Sequence, residues 1–331
     1  MGDVAMTVPV LVSLAKQYDV HITLLTSSHF EPMFAEIPQI TVFPIQKRER
    51  HKGFFGLIRL FFDLRKHAEI DVVADLHDVL RTKILRLLFN CSFIKTVKIN
   101  KGRFEKNQLI KNGKDKSYPL ESTFERYFTV FAHLGFQIKP DFQSIYIEKP
   151  SLPPIVKTVV TEKSGNWIGI APFAKHQGKI YPLDKMEEVI LLLSQDTQNK
   201  IFLFGNGKKE NMIMSQWKVK FPSIIMLPSI ATLTDELKLI ANLDVMVSMD
   251  SANMHLASLV GVPVVSIWGA THYYAGFLGW NQLVENIIQT DLYCRPCSIY
   301  GDTPCKRKDY ACMNQLDPKS VCQKVMNIIS K

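Results

Sequence analysis

Asp244 to Thr271 reads DVMVSMDSANMHLASLVGVPVVSIWGAT, and this stretch decides the fold. Val245, Val247 and Met249 alternate as a strand does. Asp250 and Ser251 stop that strand and are of the type that caps a helix. Met254, Leu256, Ala257 and Val260 give the following segment a helical apolar side, and Gly261 with Pro263 ends it. Val264, Val265, Ile267 and Trp268 make a second strand, closed by Gly269. A parallel strand–helix–strand unit carries its ligand at the carboxyl ends of its strands. Here that loop is Asp250-Ser251-Ala252-Asn253, and it opens a helix N-terminus, whose N–H groups and partial positive charge suit a phosphate. His255, one turn in, adds a further donor. Taken alone, without the rest of the chain, the same residues read first as a cap and a surface histidine.

The remainder of the chain widens the picture. At 331 residues, two domains are expected. The composition, 47% hydrophobic and 21% charged, is globular, and a net charge of +9 suits an anionic ligand, an anionic membrane surface or nucleic acid without choosing among them. No apolar run reaches the ~20 residues that cross a bilayer, and no signal peptide opens the chain, so a cytoplasmic location is expected. Strands are expected at Val20–Leu25, Ile40–Pro44, Asp71–Asp75 and Thr96–Ile99, with helices at Phe54–Lys66, Val79–Leu88 and Phe124–Leu134. Lys101–Ser117 is basic and poor in apolar residues and reads as a loop. Lys149–Pro154, KPSLPP, is the best linker. Beyond it, strands at Trp167–Ala171, Lys200–Phe204 and Ile224–Leu227 alternate with helices at Met186–Gln195 and Thr234–Asn242, and Pro318–Ile329 is a closing helix. The first loop, Met1–Pro9, lacks the buried strand that normally precedes it in a doubly wound domain. A start at an internal methionine is the expectation, because such a strand is costly to lose.

Three further places carry candidate chemistry, and two more carry patterns with competing readings. Asp3, on that first glycine-containing loop, is a carboxylate of the kind that accepts a proton from a hydroxyl; its alternative role is to cap the first helix. Gly178-Lys179-Ile180-Tyr181-Pro182 follows a strand and sets Lys179 where it can reach a diphosphate. Gly205-Asn206-Gly207 invites a dinucleotide reading, but Glu210 stands where the third glycine of that fingerprint belongs. Cys294, Cys297, Cys305 and Cys312 have spacing compatible with a structural zinc knuckle, weighed against packed, reduced thiols. Lys47–His67 interleaves seven Lys and Arg with phenylalanines and leucines, either as a surface for an anionic membrane leaflet or as a core helix with a solvated basic side.

Together these places resemble glycosyltransferase family 9, the lipopolysaccharide heptosyltransferases. Met1-Gly2-Asp3-Val4 with Thr7 and Pro9 resembles the family's opening loop, and Asp71–Arg81 its acceptor-domain strand and turn. Gly178–Pro182 resembles its lysine-aromatic-proline loop. Asp250–Leu256 with Gly261-Val262-Pro263 and Gly269-Ala270-Thr271 resembles its donor signature. The resemblance implies an α/β fold of the GT-B type, two Rossmann-like doubly wound domains facing a central cleft. Residues 1–150 would bind the acceptor and 151–331 the nucleotide-sugar donor. It implies Asp3 as catalytic base, Lys179, Asp250, Ser251, Ala252, Asn253 and His255 as donor-binding residues, and Arg81 and Arg126 as acceptor-binding residues. The implied reaction is inverting transfer of a heptose from a nucleotide diphosphate sugar, ADP-heptose first among them, to a lipopolysaccharide core or lipid-linked acceptor. Peripheral contact with the inner face of the cytoplasmic membrane would accompany it; nucleic acid would not be a partner. No cofactor is called for, and without an Asp-x-Asp pair the expected mechanism is metal-free. Ser251-Ala252 replaces the family's threonine-glycine, and the family's ribose-binding glutamate falls near Gly207. A non-catalytic sugar-nucleotide or glycolipid binder and a nicotinamide-dependent oxidoreductase are the rival readings.

Overall fold

The computed structural model describes residues 1–113, 118–160 and 162–330. The chain divides into two compact units. Met1, Asp3–Gly102 and Glu121–Ile145 form unit 1; Gly2, Arg103–Leu120 and Tyr146–Lys331 form unit 2.

The chain opens with α1 (Gly2–Ala5), α2 (Val8–Gln17), β1 (Ile22–Thr26), β2 (Ile40–Pro44), α3 (Gly53–His67), β3 (Val72–Asp75), α4 (Leu80–Cys91) and β4 (Lys95–Lys98). It continues through α5 (Arg103–Asn112), which belongs to unit 2, to α6 (Thr123–Leu134). In unit 1, β1 pairs with β2 and β3 with β4, both in parallel. The Met1–Pro9 segment, expected as a loop, contains one helical turn: the Val4 and Ala5 N–H groups donate to the Met1 carbonyl at 3.0 Å. Helices α3 and α4 share one core, in which Leu57, Leu60, Phe61 and Leu64 meet Leu85 and Phe89. Helix α6 starts where its chemistry says it should. Ser122 accepts from the Glu125 N–H, the Glu125 carboxylate returns to the Ser122 N–H at 2.6 Å, and Gly135 leaves in the left-handed region.

Unit 2 holds α7 (Pro154–Lys157), β5 (Asn166–Ala171), α8 (Leu183–Ser194), β6 (Asn199–Leu203), α9 (Lys208–Lys220), β7 (Ile224–Met226), α10 (Leu233–Ile240), β8 (Val245–Met249), α11 (Ala252–Leu259), β9 (Val264–Trp268), β10 (Ile287–Gln289), α12 (Ala311–Asn314) and α13 (Pro318–Ile329). Its six strands are parallel in the order β10-β9-β8-β5-β6-β7. Every residue of β8 and β9 is buried, as strands covered on both faces must be, which is why both read as apolar runs. Between them α11 exits through Gly261 at φ +73°, a conformation that disfavours any side chain. The closing helix α13 is capped by Asp317 and buries Val321 and Val325 in the same core as β8 and β9.

Among the further departures from the expectations are two helices. Lys101–Ser117, expected as a loop, is helical over Arg103–Asn112; Lys114–Ser117 lie outside the described residues. Helix α5 forms because Leu109 buries against Ala275 and Ile299 and Lys106 lies over the Phe277 ring at 4.2 Å. These contacts outweigh a segment with little intrinsic amphipathicity. Helix α9 has no counterpart among the expected elements. Only Met214 and Trp217 are buried along it, too few for a periodic signal.

Candidate functional site

In unit 2 the chain runs outward from β5 through β6 to β7, then returns to β8 on the other side of β5. The strand order therefore reverses between β5 and β8, and the carboxyl ends of these two strands are where an open parallel sheet receives a ligand. Lys179 closes a short 3-10 turn, Gln177–Lys179, after β5; Asp250 directly succeeds β8. Their side chains meet there, Lys179 Nζ lying 2.8 Å from Asp250 Oδ2, with only 15% and 4% of the side chains exposed.

Ser251 occupies the N-cap position of α11 with extended backbone, but its side chain makes no capping hydrogen bond; its Oγ instead lies 3.3 Å from Ser248 Oγ. The first-turn N–H groups of α11, at Ala252 and Asn253, are thus not closed off by their own cap. Ala252 and Asn253 are half-buried, and His255 is buried within the helix.

Three loops that frame this point are tied by backbone contacts. The Ala270 N–H donates to the Gly178 carbonyl at 2.8 Å, and the Cys297 and Ser298 N–H groups donate to the Ala270 carbonyl. A Cβ on Gly178 would stand 2.8 Å from Ala270 Cβ, and one on Gly269 would stand 2.6 Å from the Gly178 carbonyl oxygen, so both glycines are required by the approach itself. The stem of Lys179 passes over Gly301, where a Cβ would meet its Cγ at 2.6 Å. Tyr181 anchors the same loop from beneath, donating its hydroxyl to the Leu316 carbonyl at 3.0 Å in full burial.

Sequence reasoning missed the residue that organises this end of the sheet. Arg295, between the first two cysteines and 1% exposed, donates to the carbonyls of Trp268, Gly269, Thr271 and Thr290 and to Gln289 Oε1. Burial pulls its guanidinium below the ordinary arginine range. The Thr271 hydroxyl beside it is wholly buried and lacks a hydrogen-bond partner among the described residues. The only sequence signal was the C-x-x-C pattern, which directs attention to the thiols on either side. The four thiols lie near enough for their charges to act on one another, but among the described residues no set of three or more His, Cys, Asp or Glu side chains is arranged to hold a metal ion. Burial pushes Cys312 up to about 11.

The dinucleotide reading meets a specific obstacle. The Glu210 carboxylate accepts the N–H groups of Asn206 and Gly207 at 2.8 and 3.0 Å. These are the turn donors that a bound pyrophosphate would need, and a carboxylate holds them.

In unit 1, Asp3 is exposed. Its negative charge acts on the Met1 ammonium, on His77 and on Tyr127. The Tyr127 phenol is held above its ordinary range mainly by burial, and His77 is held below its own mainly by burial, with the Lys101 and Lys47 charges adding to that depression. Close to His77, in the Asp71–Arg81 stretch and the helix after it, is an ionic cluster: Arg86 pairs with Asp75 at 3.0 Å and Asp78 at 3.1 Å, while Asp75 Oδ1 accepts the His77 and Asp78 N–H groups. Arg81 lies half-buried in the first turn of α4. Arg126 was expected among residues receiving an anionic acceptor. Its side chain is only 4% exposed, donates to the Glu121 and Asn100 carbonyls at 3.2 and 3.1 Å, and pairs with Glu121. Its Nε and Nη1 are thus engaged by the chain itself.

Three comparisons bear on this arrangement. The family model described as glycosyltransferase family 9 (heptosyltransferase) matches residues 59–306. The chain is 23% identical to lipooligosaccharide heptosyltransferase 2 of Campylobacter jejuni, covering 99% of this chain and 95% of that one. It is 24% identical to lipopolysaccharide heptosyltransferase 3 of Escherichia coli, over 87% and 85% of the two chains. In fold it is similar to a glycosyl transferase family 9 structure from Veillonella parvula DSM 2008, with a TM-score of 0.76 at 16% identity, covering 99% and 94%. It is similar also to E. coli heptosyltransferase WaaC with ADP, with a TM-score of 0.67 at 17% identity, covering 99% and 96%. The α/β fold of the GT-B type expected from the sequence is the one these neighbours share.

Proposed function

The chain belongs to glycosyltransferase family 9, and from that premise we propose that it is an inverting heptosyltransferase that takes its sugar from ADP-heptose and places it on a lipopolysaccharide or lipooligosaccharide core acceptor. The observation that carries the reading is the buried Lys179–Asp250 pair at the strand-order reversal, beside the N-terminus of α11. Displacing a nucleotide diphosphate from a sugar carbon builds negative charge on the departing oxygen. An ammonium and helix N–H groups fixed in advance stabilise that charge without reorganising at the moment of reaction. In this reading Lys179 and the α11 amides of Ala252 and Asn253 hold the diphosphate. Asp250, Ser251 and His255 shape the donor loop and keep Lys179 in register. The donor is consistent with the ADP and ADP-2-deoxy-2-fluoro heptose named for the WaaC structures.

Asp3 is the proposed general base. An exposed carboxylate can take the proton of an acceptor hydroxyl as that oxygen attacks the sugar carbon; attack opposite the leaving diphosphate inverts that carbon, and no metal is needed when fixed cations supply the charge. Arg81 is the proposed contact for an anionic acceptor. Arg126, buried with its Nε and Nη1 on the Glu121 and Asn100 carbonyls, is the second candidate for that contact only through its Nη2. An acceptor carried on a lipid is met at a membrane surface, and peripheral contact there is part of the same reading.

Asp3→Asn tests it. The substitution is expected to lower heptose transfer by about 10²- to 10⁴-fold and to leave ADP binding, measured by isothermal titration calorimetry, at the wild-type value. Transfer that survives at the wild-type rate removes Asp3 from the base role. A wild-type chain that binds ADP yet turns over no ADP-heptose would instead make this a sugar-nucleotide binder.

A further inference from the structure

The outer side of unit 1 is unlike the solvated side of an ordinary surface helix. On α3, the core takes Leu57, Leu60, Phe61 and Leu64. Phe55, Arg59, Phe62 and Lys66 succeed one another at intervals of four, three and four, which is the spacing of a single helix face, and that face lies opposite the core side. Phe55 is 80% exposed and Phe62 63%. Helix α4 repeats the pattern. Its core side is Leu85 and Phe89, while Leu80 and Leu87, seven residues apart, stand 75% and 63% exposed with Lys83 between them. The core sides of both helices meet in one cluster.

Large apolar side chains turned squarely away from a core they could have joined need an occupant. The charge around them says which. Lys47–His67 carries seven Lys and Arg against two acidic residues, and one of those, Asp63, is already neutralised by Arg50 at 2.6 Å through both carboxylate oxygens. Asp63 also lies off the Phe55–Lys66 face. Phenylalanines alternating with cations are suited to a layer of lipid phosphates over acyl chains, since the rings enter the acyl boundary while arginine and lysine keep their charged ends among the headgroups. Among the described residues no helix is long and apolar enough to cross a membrane, so the contact is made in the plane of the surface.

We propose that the outward face of α3 is the surface by which this protein lies on an anionic lipid bilayer, with Phe55 and Phe62 inserted at the headgroup boundary and Arg59 and Lys66 on lipid phosphates. The proposal deepens the functional reading, since a lipid-borne acceptor would be met there, but it stands on residues that take no part in transfer.

The test is sedimentation of the full chain with vesicles of phosphatidylglycerol and phosphatidylcholine, against vesicles of phosphatidylcholine alone. Binding is expected to the anionic vesicles only and to weaken as salt is raised. The pair Phe55→Ser with Phe62→Ser, and separately the pair Arg59→Ser with Lys66→Ser, should each reduce partitioning about tenfold or more. Both pairs should keep the wild-type circular dichroism and the wild-type rate on a delipidated, water-soluble core acceptor. No binding by the wild-type chain, equal binding to both vesicle types, or full binding by either double variant overturns the proposal. So does a concentration-dependent dimer in sedimentation velocity that the phenylalanine pair abolishes, which would assign the face to a second copy. Because vesicle binding needs neither donor nor acceptor, loss of transfer with binding intact would count against the enzymatic reading alone.

Discussion

Replacing Lys179 by methionine keeps the length of the side chain and removes its charge, and the cost is set by what the ammonium touches. Asp250 is 4% exposed and Lys179 Nζ lies 2.8 Å from its Oδ2. Removing one partner of so buried a pair leaves an uncompensated charge and costs about 3–5 kcal/mol. Asp250→Asn is the milder change. The ammonium sits on a flexible stem with 15% of its side chain in contact with solvent, so it can turn outward, at a cost of about 1–2 kcal/mol. The double variant has no charge left to strand, and its cost should resemble that of Asp250→Asn alone. The two sites are thus expected to be coupled by about 3–5 kcal/mol, well outside the ~0.5 kcal/mol within which independent sites add. All four tryptophans, Trp167, Trp217, Trp268 and Trp280, lie in unit 2, so intrinsic fluorescence reports the melting of that unit without interference from unit 1. For a domain of this size Lys179→Met should lower the midpoint by roughly 6–20 °C. The same variant should weaken ADP binding about tenfold or more, the worth of one charge-assisted hydrogen bond to phosphate. Additive single-site costs would show that the pair is not the interaction it looks like. Undiminished ADP affinity would remove Lys179 from the donor site whatever its effect on stability.

Arg295→Lys should destabilise unit 2 by about 3 kcal/mol or more, because a single ammonium cannot reach carbonyls that a planar guanidinium holds on several sides; a fluorescence melt within about 2 °C of wild type would refute it. The thiols give a pH-dependent readout. Burial pushes Cys312 and Cys322 up to about 11, above the unfolded-chain value, so the fold favours their protonated forms. Their contribution to stability is complete below about pH 8.5 and is lost as pH rises towards 11, where the unfolded chain ionises first. At about pH 8 a thiol-disulfide indicator should label exposed Cys91 promptly and reach buried Cys312 only after unfolding; rapid labelling of both in the native state would contradict the burial.

The donor half of the site was legible because its signals are local. The alternation of β8, the polar break at Asp250 and Ser251, the apolar side of α11 and the Gly261–Pro263 exit all lie within 28 consecutive residues, Asp244–Thr271, and each acts on its neighbours. Even Lys179, more than sixty residues away in sequence from Asp250, announced itself by coming after a strand and before a proline. Helix α5 was not legible, because its helicity depends on Leu109 and Lys106 finding Ala275 and Phe277, partners that no window around residue 106 contains.

The three cations that matter most make the same point about charge. Lys179, Arg126 and Arg295 look alike in the sequence, each a cation near a turn. What separates them is where the carbonyls are. Arg126 is met by the Asn100 and Glu121 carbonyls at Nε and Nη1, and Arg295 by four carbonyls of the β9 and β10 loops, so Arg295 spends all three of its nitrogens on the chain and Arg126 two. Lys179 is met by a carboxylate, and an ammonium carries three donors. A cation held by one carboxylate, at the reversal of a parallel sheet and beside a helix N-terminus whose cap is turned aside, retains donors for a second anion. That difference, between a cation used up by backbone and one held ready by a side chain, is set by the meeting of Gly178 with Ala270 across loops ninety-two residues apart. On that difference rests the proposal that Lys179 meets the diphosphate.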